Sequence, residues 1–79
     1  MNWQNYIEQR PDVMLGKPVI KNTRLTVEMI LEKLGHGASV EELVASHPQL
    51  RREHILAAQL YAADYLSFDK TIFAGGCAG

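Results

Sequence analysis

Residues 55–66 constrain this chain more than any other segment. Ten of these twelve residues are apolar, Gln59 and Asp64 being the exceptions, and neither Gly nor Pro interrupts them. At helical spacing Ile55, Ala58, Ala62 and Tyr65 form one stripe; Leu56, Leu60 and Ala63, extended by Tyr61, form another. A helix that is apolar nearly all round must be covered nearly all round. A chain of 79 residues is one domain with a thin core, too little to wrap such a helix. The sequence therefore predicts a homodimer, with Leu56, Leu60 and Tyr61 at or near its interface. The single cysteine, Cys77, excludes an internal disulfide framework and a zinc knuckle, so the fold must rest on packing.

The other elements follow from local signals. Residues 1–25 read as extended structure and turns, because Pro11 and Pro18 break any helix. Two short strands about a turn at Asn22 are expected, with Tyr6-Ile7 adding an edge. Asn22 is expected at positive φ, which Asn tolerates better than any residue but Gly. Thr26 is a good N-cap, and Val27, Ile30, Leu31 and Leu34 form the stripe of a helix over about 26–34. Ser39 and Glu42 make a capping box for a short helix over 40–46, which His47-Pro48 ends. A third helix runs over about 51–67, after the link Pro48-Gln49-Leu50, with Arg51 where a capping residue belongs. Residues 1–68 are then one trihelical domain behind a small β element (1–25), and 69–79 a flexible tail rich in Gly. The fold class is mainly α. Short helix, tight link, long helix is the order of a helix-turn-helix.

Chemistry is sparsely represented. His36, His47 and His54 have no ligand-type partner one turn away, and a metal site needs three or four converging ligands, so none is expected. Ser39 reads as a cap and Ser46 as a helix-surface residue. Cys77 has no neighbouring base, and Gly35-His36-Gly37 lacks the Lys and the length of a phosphate loop. No enzyme activity, cofactor or small-molecule substrate is expected. The opening Met1–Tyr6 is polar and nothing approaches a spanning helix, so a cytoplasmic protein without a membrane partner is expected. The net charge of −1 and pI of about 6.3 argue against a simple basic nucleic-acid binder. The charge is uneven, however. Residues 1–26 carry Arg10, Lys17, Lys21 and Arg24 against Glu8 and Asp12. Residues 27–66 carry Lys33, Arg51 and Arg52 against six acids. In a helix-turn-helix the residues facing DNA would be Gln49, Arg51, Arg52 and His54, at the start of the third helix. In a dimer two such faces must lie about 34 Å apart to meet successive major grooves.

The run Gly16-Lys17-Pro18-Val19-Ile20-Lys21-Asn22-Thr23-Arg24-Leu25-Thr26-Val27 resembles the signature of the domain-of-unknown-function 433 family. That signature reads glycine, lysine, proline, a β-branched pair, a basic residue, glycine, threonine, arginine, an aliphatic, proline and valine. Residues 37–43, 47–50 and 57–62 are also similar to the family. Asn22 stands where glycine is usual, Thr26 where proline is common, and Arg51 where Thr or Ser commonly caps, a change costing about 1 kcal/mol of helix stability. The resemblance implies a homeodomain-like trihelical fold. It also implies a VapB-type antitoxin that binds a PIN-like ribonuclease toxin and represses their shared operon by binding its operator DNA. The different reading open to the same sequence is a homodimeric protein-interaction module that binds no DNA. Within the signature Gly16, Lys17, Pro18, Asn22 and Thr23 are expected to be structural. Arg24 is expected to hold a hydrogen bond to a carboxylate or to helix-end carbonyls.

Overall fold

A computed structural model describes the backbone of residues 1–73 and the side chains of residues 1–67. The chain folds as three helices behind a small two-stranded antiparallel sheet. A 3-10 turn, Trp3–Asn5, leads into β1 (Ile7–Glu8); a second, Met14–Gly16, precedes β2 (Val19–Ile20). The helices are α1 (Val27–Gly35), α2 (Val40–Ser46) and α3 (Arg52–Phe73).

The sheet departs from the expected pairing. β2 pairs with β1, Ile7 opposite Ile20 and Glu8 opposite Val19, while residues 23–25 form no strand. The turn at Asn22 is nevertheless present, closed by the Thr23 N–H donating to the Ile20 carbonyl and the Ile20 N–H to the Leu25 carbonyl. A single bridge, Val19 to Thr26, continues it. Thr23 prevents a second strand, because its hydroxyl donates to the Ile20 carbonyl and accepts the Leu25 N–H. The turn thus satisfies polar groups that a ladder would otherwise use. Asn22 has φ 64°, the left-handed conformation expected of it, at the third position of the turn as a type II turn requires.

A second left-handed stretch has no counterpart in the sequence reading. Met14, Leu15 and Gly16 have φ of 48°, 57° and 79° in succession. The run lifts Leu15 to 94% exposure, and it is tied down by the Gln9 side-chain amide donating to the Gly16 carbonyl. Only Gly16 takes this conformation without steric cost.

The helices start where their caps dictate. Thr26 accepts the Met29 N–H; Ser39 accepts the Glu42 N–H while the Glu42 carboxylate accepts that of Ser39. Hydrogen bonding to the Ser39 backbone N–H first, and to the Ser39 side chain second, holds the Glu42 carboxyl below its ordinary pKa, slightly opposed by desolvation. α3 is longer than expected, continuing past residue 67 to Phe73, since no Gly or Pro stands before Gly75 to stop it. The expected tail from residue 74 onward, with Cys77, lies outside the described residues.

The core gathers Ile7 and Ile20 from the sheet, Val27 and Ile30 from α1, Leu43 from α2, Leu50 from the link, and Ile55, Ala57 and Ala58 from α3. Ala57 and Ala58 are fully buried. Their small side chains let α3 approach the remaining elements closely. Among the described residues no buried polar side-chain atom lacks a partner, and no helix is long and apolar enough to cross a membrane.

Candidate interaction surfaces on the long helix and the basic front

The two apolar stripes of α3 separate as the wheel demands. Ile55 is fully buried, while Leu56 and Leu60 remain 41% and 40% exposed, with Ala63 exposed on the same face. Tyr61 does not join them. It lies about 100° round the helix from Leu60, and its ring meets Trp3 edge-on at 4.9 Å. The Trp3 indole N–H donates to Asp64 at 2.6 Å. The first turn of the chain therefore covers part of α3 that the sequence leaves for a partner. Trp3 gives no signal in sequence, being one aromatic residue in a polar stretch.

The residues expected to face DNA do not share one surface. Arg52 stands one turn before Leu56, and its guanidinium lies 3.6 Å from Glu41 of α2. The outer face of α3 thus offers an ion-paired arginine followed by leucines and alanine, chemistry suited to protein more than to base edges. Gln49 instead lines an open cleft of about 560 Å³ with Arg10, Asn22, Thr23, Arg24 and Glu8. Arg24 is exposed and makes no hydrogen bond or ion pair among the described residues, contrary to the structural role expected of it. The carboxylate that shares its cleft is already engaged: Glu8 takes the Asn22 N–H and lies 3.9 Å from Arg10.

Of the cations whose side chains are described, Arg10, Lys17 and Arg52 are paired with carboxylates. Lys21, Arg24, Lys33 and Arg51 are not. Lys33 sits in the last turn of α1, where the helix dipole accommodates it. Arg24 lies in the cleft with Gln49, and a short series of contacts links the backbones of the other two, Lys21 and Arg51. The Lys21 N–H donates to the Tyr6 carbonyl. The Tyr6 ring meets His54 edge-on at 5.8 Å, and His54 Nδ1 accepts the Arg51 N–H at 3.0 Å. The basic front and the start of α3, separate in sequence, are joined through Tyr6 and His54.

His54 is consequently a fastener and not a free base-reading side chain. Its Nδ1 supplies at Arg51 the reverse half of a capping box, which answers for the missing cap residue. Burial holds its pKa below the ordinary value of about 6.5; the Glu53 carboxylate opposes this shift and the Arg51 guanidinium adds to it. The neutral ring is the form the fold uses, because a protonated Nδ1 cannot accept. Folding stability from this site is therefore complete above about pH 6.5 and is lost as pH falls through the lowered folded pKa. Between pH 7 and 5, urea midpoints of the wild type should fall more than those of His54→Gln, with the two curves separating below about 6.5. Parallel curves would remove His54 from this role.

Among the described residues no three His, Cys, Asp or Glu side chains converge as metal ligands.

Comparison with known proteins places these surfaces on a recurring scaffold. The profile of the family described as "Protein of unknown function (DUF433)" matches residues 7–62. The crystal structure of a DUF433 member protein from Anabaena variabilis is similar with a TM-score of 0.76 and 32% identity, over 90% of this chain and 70% of that one. The uncharacterized protein y4eO of Sinorhizobium fredii is 34% identical over 56 residues, which are 71% of this chain and 25% of that protein. The chain thus spans about a quarter of the length of that relative.

Proposed function

Since the chain belongs to the DUF433 family, whose function is unknown, its role must be read from its own surfaces, and we propose that it is a dimeric DNA-binding regulator of the antitoxin kind. In this reading Leu56 and Leu60 join two copies, while Lys21, Arg24, Gln49 and Arg51 meet DNA. The chain is a binding module and not an enzyme. The observation that carries the reading is Arg24, exposed and without an ion pair among the described residues, in one cleft with Gln49, with Arg51 two residues further along the chain; this leaves charge available for phosphate without first breaking an ion pair. Phosphate contacts supply most of the affinity and make it salt-dependent. Gln49 is the side chain here suited to a base edge. The PIN-like ribonuclease as the sequestered partner rests on the family resemblance alone.

The test is a mobility shift with the gene's own upstream region at low salt, with and without the neighbouring gene's product. Arg24→Ala/Arg51→Ala should weaken binding at least about tenfold and flatten its salt dependence, while Arg52→Ala, which only frees Glu41, should leave it nearly unchanged. Loss of binding with Arg52→Ala alone would return the reading face to the outer surface of α3. Absence of any shift under either condition would favour the second reading, a homodimeric interaction module without DNA. That reading draws on the apolar outer face of α3 and the net charge of −1.

A further inference from the structure

The cleft that holds Arg24 and Gln49 carries more than a phosphate needs. Pairing of β1 with β2 brings Glu8 beside the turn at Asn22, and the link before α3 brings Gln49 to the same place. Three stretches far apart in the chain therefore meet, and no one of them announces a site. The cleft volume, about 560 Å³, falls in the range of about 300–1,000 Å³ usual for small-molecule sites. Half-buried Val13 and Leu25 form an apolar part of its wall. The side-chain amides of Asn22 and Gln49 make no hydrogen bond among the described residues.

Two opposite charges stand in this cleft without meeting. Arg24 has no ion pair among the described residues, and Glu8 lies beyond ion-pair distance of it. Arg10 balances Glu8 only in part, being 3.9 Å away and itself held by Asp12 at 3.2 Å. Both contacts that engage Glu8 fall on Oε2, and Oε1 accepts no hydrogen bond among the described residues. A DNA phosphate would take Arg24 but be repelled by Glu8, and it has no use for Val13 and Leu25. A small ligand bearing both charges close together satisfies the two ends at once, through charge-assisted hydrogen bonds. We propose that the cleft binds a free amino acid with an apolar side chain. Its carboxylate meets Arg24, its ammonium meets Glu8 Oε1, and its side chain packs on Val13 and Leu25. The Asn22 and Gln49 amides supply further donors for the carboxylate. An anion without the ammonium leaves Glu8 facing a like charge, and an amine without the carboxylate leaves Arg24 unmatched. The proposal does not rest on DNA binding; where both hold, amino acid and DNA compete for Arg24.

Calorimetric titration of the full chain with L-leucine, N-acetyl-L-leucine, L-leucinamide and glycine tests it. L-leucine should bind saturably. N-acetyl-L-leucine has no ammonium, L-leucinamide no carboxylate and glycine no apolar side chain, and each should bind at least about tenfold more weakly. Arg24→Ala and Glu8→Gln should each weaken L-leucine binding by at least about tenfold. Neither change should disturb the fold, since Arg24 makes no hydrogen bond or ion pair among the described residues and Glu8→Gln keeps a side-chain oxygen that can accept the Asn22 N–H; unchanged circular dichroism verifies this. Arg52→Ala, outside the cleft, should leave binding unaltered. L-leucine should shift the backbone amide resonances of Val13, Arg24, Leu25 and Gln49. No saturable binding at about 10 mM L-leucine, binding that persists in both cleft variants, or amide shifts confined to residues outside the cleft would overturn the proposal. So would equal binding of N-acetyl-L-leucine, which would reduce the site to a lone anion contact at Arg24. No DNA is present in these titrations, so their failure and that of the DNA reading are separate results.

Discussion

Ile55→Ala is expected to cost about 2–5 kcal/mol of folding stability, while Leu56→Ala, one residue along, should cost under about 1 kcal/mol. Ile55 is 0% exposed and sits where α3 meets the rest of the core. Truncating it removes transfer free energy and leaves a cavity that the close-packed Ala57 and Ala58 are too small to fill. A domain of 79 residues has about 4–12 kcal/mol in total, so this one change consumes a large part of it. Leu56 is 41% exposed, so within one protomer its truncation forfeits only part of a side chain's burial. Urea denaturation followed by circular dichroism measures both, in a Leu60→Glu background so that association does not contribute. Equal costs at the two positions would mean that α3 is rotated from the orientation described.

The contrast between these neighbours was legible because periodicity is a local property. The partners within the Thr26 cap, the Ser39–Glu42 box and each stripe of α3 are only a few residues apart, and each takes the form its spacing dictates, except that Tyr61 packs on Trp3 and Tyr65 is exposed. So does Asn22, whose tolerance of positive φ is its own. What stayed hidden was tertiary. Trp3 reaches Asp64 and Tyr61 across about sixty residues, and no pattern in the polar first turn announces it. Arg24 reads as structural because its segment is the most distinctive in the chain, but Glu8, the carboxylate sharing its cleft, is engaged by the Asn22 N–H and by Arg10. The link between Lys21 and Arg51 depends on Tyr6 and His54 meeting, which neither stretch implies alone. The left-handed run at Met14 and Leu15 goes against the intrinsic preference of both residues, so propensity could not have found it.

Leu60→Glu is expected to convert a dimer into a folded monomer. Three exposed apolar side chains, Leu56, Leu60 and Ala63, line the face of α3 opposite its buried stripe, and the α-helical repeat aligns them for pairing with the same face of a second copy. A two-fold interface uses one patch twice, so every substitution counts on both sides. Two glutamates at its centre would face each other in place of two leucines, adding unpaired buried charge to lost apolar burial. The dissociation constant should rise by roughly three orders of magnitude or more, from about 2–4 kcal/mol lost on each side. The monomer should nevertheless stay folded, because Leu60 is 40% exposed and makes no part of the buried core. Light scattering at high micromolar concentration reads the outcome as a halving of mass to 8.9 kDa, and unchanged helical circular dichroism excludes unfolding. Tyr61→Ala provides the internal contrast. Its ring is engaged with Trp3 on another face, so it should lower stability without dissociating the dimer. A wild type already at monomer mass would remove the outer face of α3 as an interface between copies, leaving Leu56 and Leu60 as simple exposed side chains.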